Sequence, residues 1–286
     1  MGSDAGDRVV RRGDADYERR RRAAVWNHRV PARYPELIVV ARSVDDVVGA
    51  VETARARGLR VAVRSHGHNW AGTALRDGSL LLDVGGLNGL RLSGDEAEVG
   101  PGLTGAELTA ALAAQGLGFP AGHCRDVGLG GYLLGGGMGW NWGVWGPACH
   151  SVAGLEAVTA DGRVLARDDE DDDGLLWAAR GAGPGFFAVV TRFRIRVYPE
   201  PSAAVTSTFV FPLGDLALVA DWVAGLAETL DRRVELTLFL TTAPSSIGEL
   251  GIEAGRHVII VTATAFAASH GACGALLAPL ERGAGR

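Results

Sequence analysis

The sequence predicts an α+β protein in which a larger, glycine-rich domain precedes a smaller one. Strand-like and helix-like runs alternate along the chain, and glycine clusters fill its centre. These clusters stop near Tyr198-Pro199-Glu200-Pro201, where prolines end a strand-like run. Because prolines and a change of composition mark boundaries, we divide the 286 residues into an N-terminal segment with a short helix (1–33), a first domain (34–201) and a second domain (202–286).

The first domain opens with a β-α-β pattern. Residues 1–13 are polar and are expected to be loose, and a short helix is expected over 15–26. Ser43 opens the run S-V-D-D, a capping hydroxyl followed by acids, and Gly58 is a typical stop residue, so a helix is predicted over 44–56. Strand-like runs flank it, as in a unit with a crossover helix. The other expected elements are strands at 37–40, 59–63, 80–84, 96–99, 155–159, 163–166 and 187–197 and helices at 105–115 and 175–179.

The second domain is expected to be a partial α+β domain with an antiparallel sheet. Its expected elements are strands at 205–211, 234–240 and 257–265 and helices at 215–230 and 272–280. A sheet this small has one face that needs cover, and it is expected to expose apolar strands such as 258–265. We therefore expect the chain to associate, either as a homo-oligomer or with a second polypeptide that supplies the missing C-terminal part.

The composition excludes several classes of function. The chain contains no lysine, so a Walker-type phosphate loop and a Schiff-base enzyme are both ruled out. A net charge of −5 gives no support for nucleic-acid binding. Three cysteines provide neither a disulfide framework nor a metal clip. No run resembles a signal peptide or a membrane span, so a cytoplasmic protein without a membrane partner is expected.

The first motif with chemical content is R-S-H-G-H-N, at the end of a predicted strand. A tight loop of this kind presents backbone N–H groups that suit a pyrophosphate. Its two histidines could also bind a metal, but no third ligand lies at a recognisable spacing, so no metal is expected. The residues of this candidate loop are Arg64, Ser65, His66, Gly67, His68 and Asn69.

The second motif is the glycine-rich stretch 119–140. So many glycines cost backbone entropy, and a large planar ligand lying against the backbone would explain them. Gly128 and Gly130 are followed by Leu133, so the dinucleotide fingerprint GxGxxG is absent and a Rossmann fold loses support. Three tryptophans follow, which could line a substrate site, although core packing is the commoner role. They are Trp140, Trp142 and Trp145.

A third motif, W-A-A-R-G-A-G-P-G-F-F-A-V-V-T-R-F, begins at Trp177. In this order and spacing the three motifs resemble the FAD-linked oxidoreductases of the p-cresol methylhydroxylase (PCMH)/vanillyl-alcohol oxidase superfamily, in the berberine-bridge-enzyme-like branch. The resemblance covers about residues 34–201 and includes V-G-P-G at Val99 and V-T-A-D-G at Val158. It implies a PCMH-type FAD-binding domain of two α+β subdomains, followed by the substrate domain.

The resemblance also implies where FAD is held. In the family the R-S-x-G-H histidine is bonded to the flavin 8α-methyl carbon, here His68, and in many members the G-x-C cysteine is bonded to flavin C6, here Cys124. The alternative is a hydrogen-bonded His68 and a buried, free Cys124. His66 stands where the family usually has glycine, and Ala188 replaces another. The remaining implied cofactor-binding residues are Gly122, Val127, Gly128, Gly130, Gly131, Gly135 and Val190.

The implied reaction is hydride transfer from a substrate carbon to flavin N5, with O₂ commonly reoxidising the flavin. Two attachments would retain the flavin in an open site, which favours bulky substrates such as alcohols of carbohydrates or natural products. Two alternatives are a dehydrogenase that uses another acceptor and a truncated flavin-binding protein without turnover. The catalytic base of the family comes from the substrate domain or the C-terminal segment, and no residue of this sequence is assigned to that role.

Overall fold

A mixed four-stranded sheet forms the first layer of the larger unit. Its order is β1–β2–β4–β3, with β1 antiparallel to β2 and the other three strands parallel. The computed structural model describes residues 9–171, 173–243 and 253–283. The strands are β1 (Val9–Arg11), β2 (Leu37–Val40), β3 (Arg60–Arg64) and β4 (Ser79–Asp83), and the first two helices are α1 (Tyr17–Ala23) and α2 (Val44–Ala56).

The β-α-β pattern is confirmed in its elements, but β4 lies between the two strands that α2 connects. The expectation that residues 1–13 are loose is wrong for Val9–Arg11. This short strand pairs along β2 and buries Val10. The strand has only three residues, so its stability comes from a partner that is distant in sequence and not from a local pattern.

Helix α2 begins where the capping pattern predicts. The Ser43 hydroxyl accepts a hydrogen bond from the Asp46 amide at 3.1 Å, and the Asp46 carboxylate accepts one from the Ser43 amide at 3.1 Å. This reciprocal pair satisfies two amides at the helix start that have no partner inside the helix. One face of the helix packs in the core formed with β2 and β4. Its buried residues are Val47, Ala50, Val51 and Ala54.

The second layer of this unit is an antiparallel five-stranded sheet in the order β5–β6–β10–β8–β9. Its core contains Phe193 and Ile195, both fully buried, packed with three helices. The strands are β5 (Leu90–Ser93), β6 (Glu96–Val99), β8 (Val152–Val158), β9 (Val164–Asp168) and β10 (Val189–Arg196). A small pair is formed by β7 (Leu117–Gly118) and β11 (Tyr198–Pro199). The helices are α3 (Gly105–Ala113), α4 (Leu129–Leu134) and α6 (Leu175–Ala179).

The chain divides into two compact units, Met1–Trp140 with Gly146–Pro199, and Asn141–Trp145 with Glu200–Arg286. The second unit contains a three-stranded antiparallel sheet in the order β12–β14–β13. Its elements are α5 (Trp142–Trp145), β12 (Ala203–Pro212), α7 (Leu216–Ala227), β13 (Val234–Thr242), β14 (His257–Ala267) and α8 (His270–Gly283).

The expectation that residues 258–265 would be exposed is wrong. They lie in β14, the central strand, which pairs on both sides and contacts α8 through Cys273, Leu277 and Leu280. The exposed large apolar side chains of this unit include Leu218 of α7 and Phe239 and Leu240 of β13. No helix in the described ranges is both long enough and apolar enough to cross a membrane.

Candidate functional site

The side chains that begin the R-S-H-G-H-N loop are bound by the protein itself. Arg64 donates to the Asp83 carboxylate and to the backbone oxygens of Ala23 and Ala24. The Ser65 hydroxyl donates to the Pro101 carbonyl oxygen at 2.7 Å, and the His66 Nε2 lies 2.8 Å from the Gly102 carbonyl oxygen. These bonds fix the loop after β3.

Gly67 makes a close contact with the segment that follows α1. Its φ is +77°, and a Cβ built there would overlap the carbonyl oxygen of Ala24. Its own carbonyl oxygen accepts a 3.4 Å hydrogen bond from the Trp26 amide. The absence of a side chain at Gly67 therefore allows close contact with the segment after α1.

The second motif packs directly against this loop. A Cβ at Gly128 would overlap the Ser65 hydroxyl and the His66 ring. The Gly130 amide donates to the Pro101 carbonyl oxygen at 2.8 Å, and a Cβ at Gly130 would lie 2.9 Å from the Pro101 Cβ. Glycine at these positions lets the start of α4 pack closely against the Ser65 and His66 side chains and against Pro101. The structure thus brings the first motif, the V-G-P-G turn and the start of α4 together.

Other glycines face open space. Gly131 is exposed, and a Cβ there would meet no atom within 4 Å. Gly135 is also exposed, and a Cβ there would meet only backbone oxygens of α4. Helix α4 contacts the short 3-10 helix Gly183–Gly185 of the third motif. Gly181 and Gly185 beside it are exposed and have no atom within 4 Å of a built Cβ.

We call Gly131, Gly135, Gly181 and Gly185 the open glycines. A Cβ at Gly131, Gly181 or Gly185 would meet no atom within 4 Å, in contrast to Gly67 and Gly128. A Cβ at Gly135 would lie 3.0 Å from the Gly131 carbonyl oxygen, and Gly181 has a φ of +146°, which itself favours glycine. Backbone without side chains is what a large planar group needs if it is to lie against a protein surface. The arrangement therefore fits a flavin-type cofactor, as the glycine-rich motif predicts.

His68 is held on two sides. Its Nε2 lies 3.3 Å from Oδ1 of Asp126, and its ring stacks on the indole of Trp26, with centroids 4.9 Å apart and planes 11° apart. The side chain is 16% exposed, so one part of it still faces solvent. Sequence reasoning missed both partners. Asp126 lies inside the second motif, which was the one available signal, whereas Trp26 is far away in the sequence.

Cys124 lies on the loop that carries Asp126. Its carbonyl oxygen accepts from the Val127 amide at 3.4 Å, and the start of α3 holds the turn through bonds to the carbonyl oxygens of Val127 (3.0 Å) and Arg125 (3.1 Å). Cys124 is exposed. The alternative that Cys124 is a buried cysteine is therefore wrong. Cys124 lies two positions before Asp126, the residue whose carboxylate contacts His68.

The other two cysteines are buried. Burial raises the pKa of the Cys149 thiol and so disfavours the reactive thiolate. Cys273 lies in the core of the second unit, where its Sγ contacts the carbonyl oxygens of Ala203 and Ala265. Cys124 is therefore the cysteine best placed to react with a bound molecule.

The remaining predicted residues have mixed surroundings. The Asn69 side chain accepts from the amides of Ala71 (3.0 Å) and Thr73 (3.4 Å), so it stabilises its own loop. A Cβ at Gly122 would lie 3.2 Å from the Tyr132 ring. Val127 is half-buried and Val190 is buried in the core around β10.

The interpretation of the tryptophans as core residues is wrong for Trp140 and Trp142, which are 39% and 40% exposed. The Trp140 ring lies 4.4 Å from that of His123. Among the residues that the structure describes, no group of three or more histidine, cysteine, aspartate and glutamate side chains could hold a metal ion.

Comparison with known proteins decides the family. Residues 35–167 match the model of an FAD-binding domain. The FAD-linked oxidoreductase nodO of Hypoxylon pulicicidum is 38% identical over 78% of this chain and 50% of its own length. The (R)-6-hydroxynicotine oxidase of Paenarthrobacter nicotinovorans is 36% identical over 74% of this chain and 46% of its own length. This chain belongs to the PCMH and berberine-bridge-enzyme-like family of FAD-linked oxidoreductases.

Solved structures agree with this family and confirm the fold class. The crystal structure of 6-hydroxy-D-nicotine oxidase from Arthrobacter nicotinovorans superposes with a TM-score of 0.81 at 26% identity, covering 95% of this chain and 58% of that one. Berberine-bridge-enzyme-like protein 1 of Physcomitrella patens gives 0.80 at 25% identity, over 96% and 57%. The chain spans about half the length of the curated relatives it matches.

Proposed function

We propose that this chain is the flavin-binding part of an FAD-dependent oxidoreductase and that it holds its flavin through His68 and Cys124. One observation carries the proposal: the exposed Cys124 and the partly exposed His68 meet at one loop, because Asp126 of that loop contacts the imidazole. Imidazole and thiolate are the nucleophiles that match an electrophilic, oxidised isoalloxazine ring.

Attachment at His68 must balance in atoms and electrons. A bond forms between an imidazole nitrogen and the 8α carbon while one proton leaves that carbon and one leaves the imidazole. The isoalloxazine ring takes up two electrons and two protons, and dioxygen removes them as hydrogen peroxide. The same balance holds at Cys124, where a bond from sulfur to C6 replaces one S–H and one ring C–H bond.

The direct test is whether flavin stays with denatured protein. Because the chain lacks lysine, trypsin cleaves it only after arginine, which places His68 in the peptide 65–76 and Cys124 in the peptide 92–125. Acid-precipitated protein should stay yellow, and the two peptides should be recovered as one species, joined to each other through a single flavin. Complete loss of flavin in denaturant would refute covalent attachment and leave non-covalent FAD binding to be measured separately.

The reaction that we propose is oxidation of an alcohol, or a related C–H group, of a carbohydrate or natural product. A hydride and a proton leave the substrate as its alcohol becomes a carbonyl, and O₂ accepts both to give hydrogen peroxide. An oxidase and a flavin-dependent oxygenase among the relatives support O₂ as the acceptor. Peroxide formation is to be measured against reduction of a dye over a panel of hydroxyl compounds. Dye reduction without peroxide would favour a dehydrogenase, and no turnover would favour a protein that only binds flavin.

Gly131→Ala is expected to weaken FAD binding about tenfold without destabilising the apoprotein. Gly131 is exposed in α4 with open space beside it, so alanine should stabilise the apoprotein by up to about 1 kcal/mol. A methyl group there would nevertheless separate the flavin from the backbone. Binding is measured by the change in flavin fluorescence and stability by thermal melting.

Gly49→Ala is the matched control for that change. Gly49 is also exposed, also helical, and also has no atom within 4 Å of a built Cβ. It lies in α2, outside the glycine-rich motifs, so its alanine variant should bind FAD as the parent chain does. Equal FAD affinities of the two variants would show that FAD does not lie over Gly131.

We further propose that the exposed apolar residues of the second unit are covered by a second copy of the chain or by another polypeptide. Leu218, Phe239 and Leu240 are each more than half exposed, and exposed apolar surface can mark interaction or aggregation sites. Light scattering should give a mass above that of one chain, and the thermal melt should be broad. A monodisperse monomer with a sharp melt and sustained turnover would contradict this.

A further inference from the structure

The contact between His68 and Asp126 defines which nitrogen of the imidazole carries hydrogen. An ionised carboxylate can only accept a hydrogen bond, so the Nε2 of His68, 3.3 Å from Oδ1 of Asp126, is the donor. Its own backbone amide, and to a smaller extent His68, hold the pKa of the Asp126 carboxyl below its usual value. The carboxyl is therefore ionised at neutral pH, and in a neutral imidazole the lone pair then lies on Nδ1.

Stacking on Trp26 orients the imidazole ring of His68. The indole lies nearly parallel to the imidazole, at 11°, with centroids 4.9 Å apart. One face of the His68 ring is thus covered, and the Nε2 edge is occupied by Asp126. The imidazole is held in one plane with its Nδ1 edge free of the Asp126 contact. A nucleophile that is already oriented reacts faster, because less orientational freedom is lost when the bond forms.

We propose that Asp126 is a positioning residue for covalent attachment of the flavin, which selects the tautomer of His68 that bonds to C8α through Nδ1. The inference rests on the proposed function. As the Nδ1–C8α bond forms, the Nε2 proton passes to the Asp126 carboxylate, and the proton from C8α leaves separately. The two electrons enter the isoalloxazine ring and are then taken by O₂, which is reduced to hydrogen peroxide.

If Asp126 had a purely structural role, its replacement would not change the rate of flavin attachment. The side chain of Asp126 is 77% exposed, and exposed ion pairs contribute little to the free energy of unfolding. Asp126→Asn should therefore leave the thermal melt and the non-covalent affinity for FAD unchanged under either view. The rate of attachment separates them, because a merely structural contact would not change it.

The experiment measures that rate in a Cys124→Ser background, so that only His68 can react. The chain is prepared without flavin from a riboflavin-auxotrophic host and mixed with FAD, and acid-stable flavin on the peptide 65–76 is followed in time. Asp126→Asn is expected to slow attachment about 100-fold, the usual scale for loss of a proton acceptor. Asp126→Glu should restore most of the rate. Asp45→Asn, which changes an exposed aspartate in α2, should react as the parent does.

The inference is overturned if Asp126→Asn reacts at the rate of the parent. It is also overturned if NMR of the isolated flavin peptide shows the bond at Nε2 of His68, since that nitrogen is the one assigned to Asp126. Failure of the proposed function would look different. In that case the parent itself would form no acid-stable flavin, and the role of Asp126 would fall with it.

Discussion

The double variant His68→Ala with Cys124→Ala is expected to release all of its flavin on acid precipitation. Each single variant should keep one tether and stay yellow. Two independent covalent bonds give this pattern, because either one is sufficient to retain the flavin in denatured protein. Absorbance of the precipitate at the flavin maximum, normalised to protein, measures the result.

The control for this change is His150→Ala with Cys149→Ala. It also removes one histidine and one cysteine, but Cys149 is buried and its thiol has a raised pKa. Covalent flavin should be unchanged in the control. Acid-stable flavin in the His68 and Cys124 double variant would place the bond on another residue, and a peptide map would identify it.

Local patterns predicted much of the fold. The run S-V-D-D contains the whole capping box, so α2 begins at Val44 as predicted. Thr104 and Glu107 form a second capping box, and the helix predicted over 105–115 is confirmed as Gly105–Ala113. In both cases the interacting groups lie within four residues, so the sequence contains the full interaction.

Features that depend on distant partners could not be predicted in this way. Strand β1 exists because of β2, and β14 is buried because it lies between β12 and β13. The partners of His68 are also distant, since Trp26 lies 42 residues before it and Asp126 belongs to another loop. Periodicity and spacing report on a residue's neighbours in sequence, whereas these contacts depend on how the chain folds back.

Gly67 makes a contact that its motif did not reveal. The sequence predicts a close approach of backbone to phosphate, which stays a prediction, and the structure adds that the Ala24 carbonyl oxygen lies where a side chain would be. The segment that follows Ala24 carries Trp26, which stacks on His68. The close contact at Gly67 therefore lies two residues before the tryptophan that stacks on His68.

Gly67→Val is accordingly expected to lower the free energy of unfolding by about 3 kcal/mol and to abolish most covalent flavin. A branched residue at φ +77° is strained, and its Cβ would force the Ala24 carbonyl group to move. Moving that group shifts Trp26 and removes the stacking that holds His68. Stability is measured by thermal melting and attachment by acid-stable flavin. Far-UV circular dichroism measures secondary structure, which should be largely kept.

The variant Gly58→Val distinguishes the backbone strain of valine at a positive φ from the displacement of the Ala24 carbonyl group. Gly58 follows α2 with φ +65°, and a Cβ there would meet no atom within 4 Å. In this variant the free energy of unfolding should fall only by the cost of the left-handed conformation, about 1 kcal/mol. The variant should keep its covalent flavin. If both valine variants lose the same stability and both carry normal flavin, the contact between Gly67 and Ala24 does not position His68. A deficit confined to Gly67→Val would instead show that the segment after α1 belongs to the flavin site, because that segment is what the added side chain displaces.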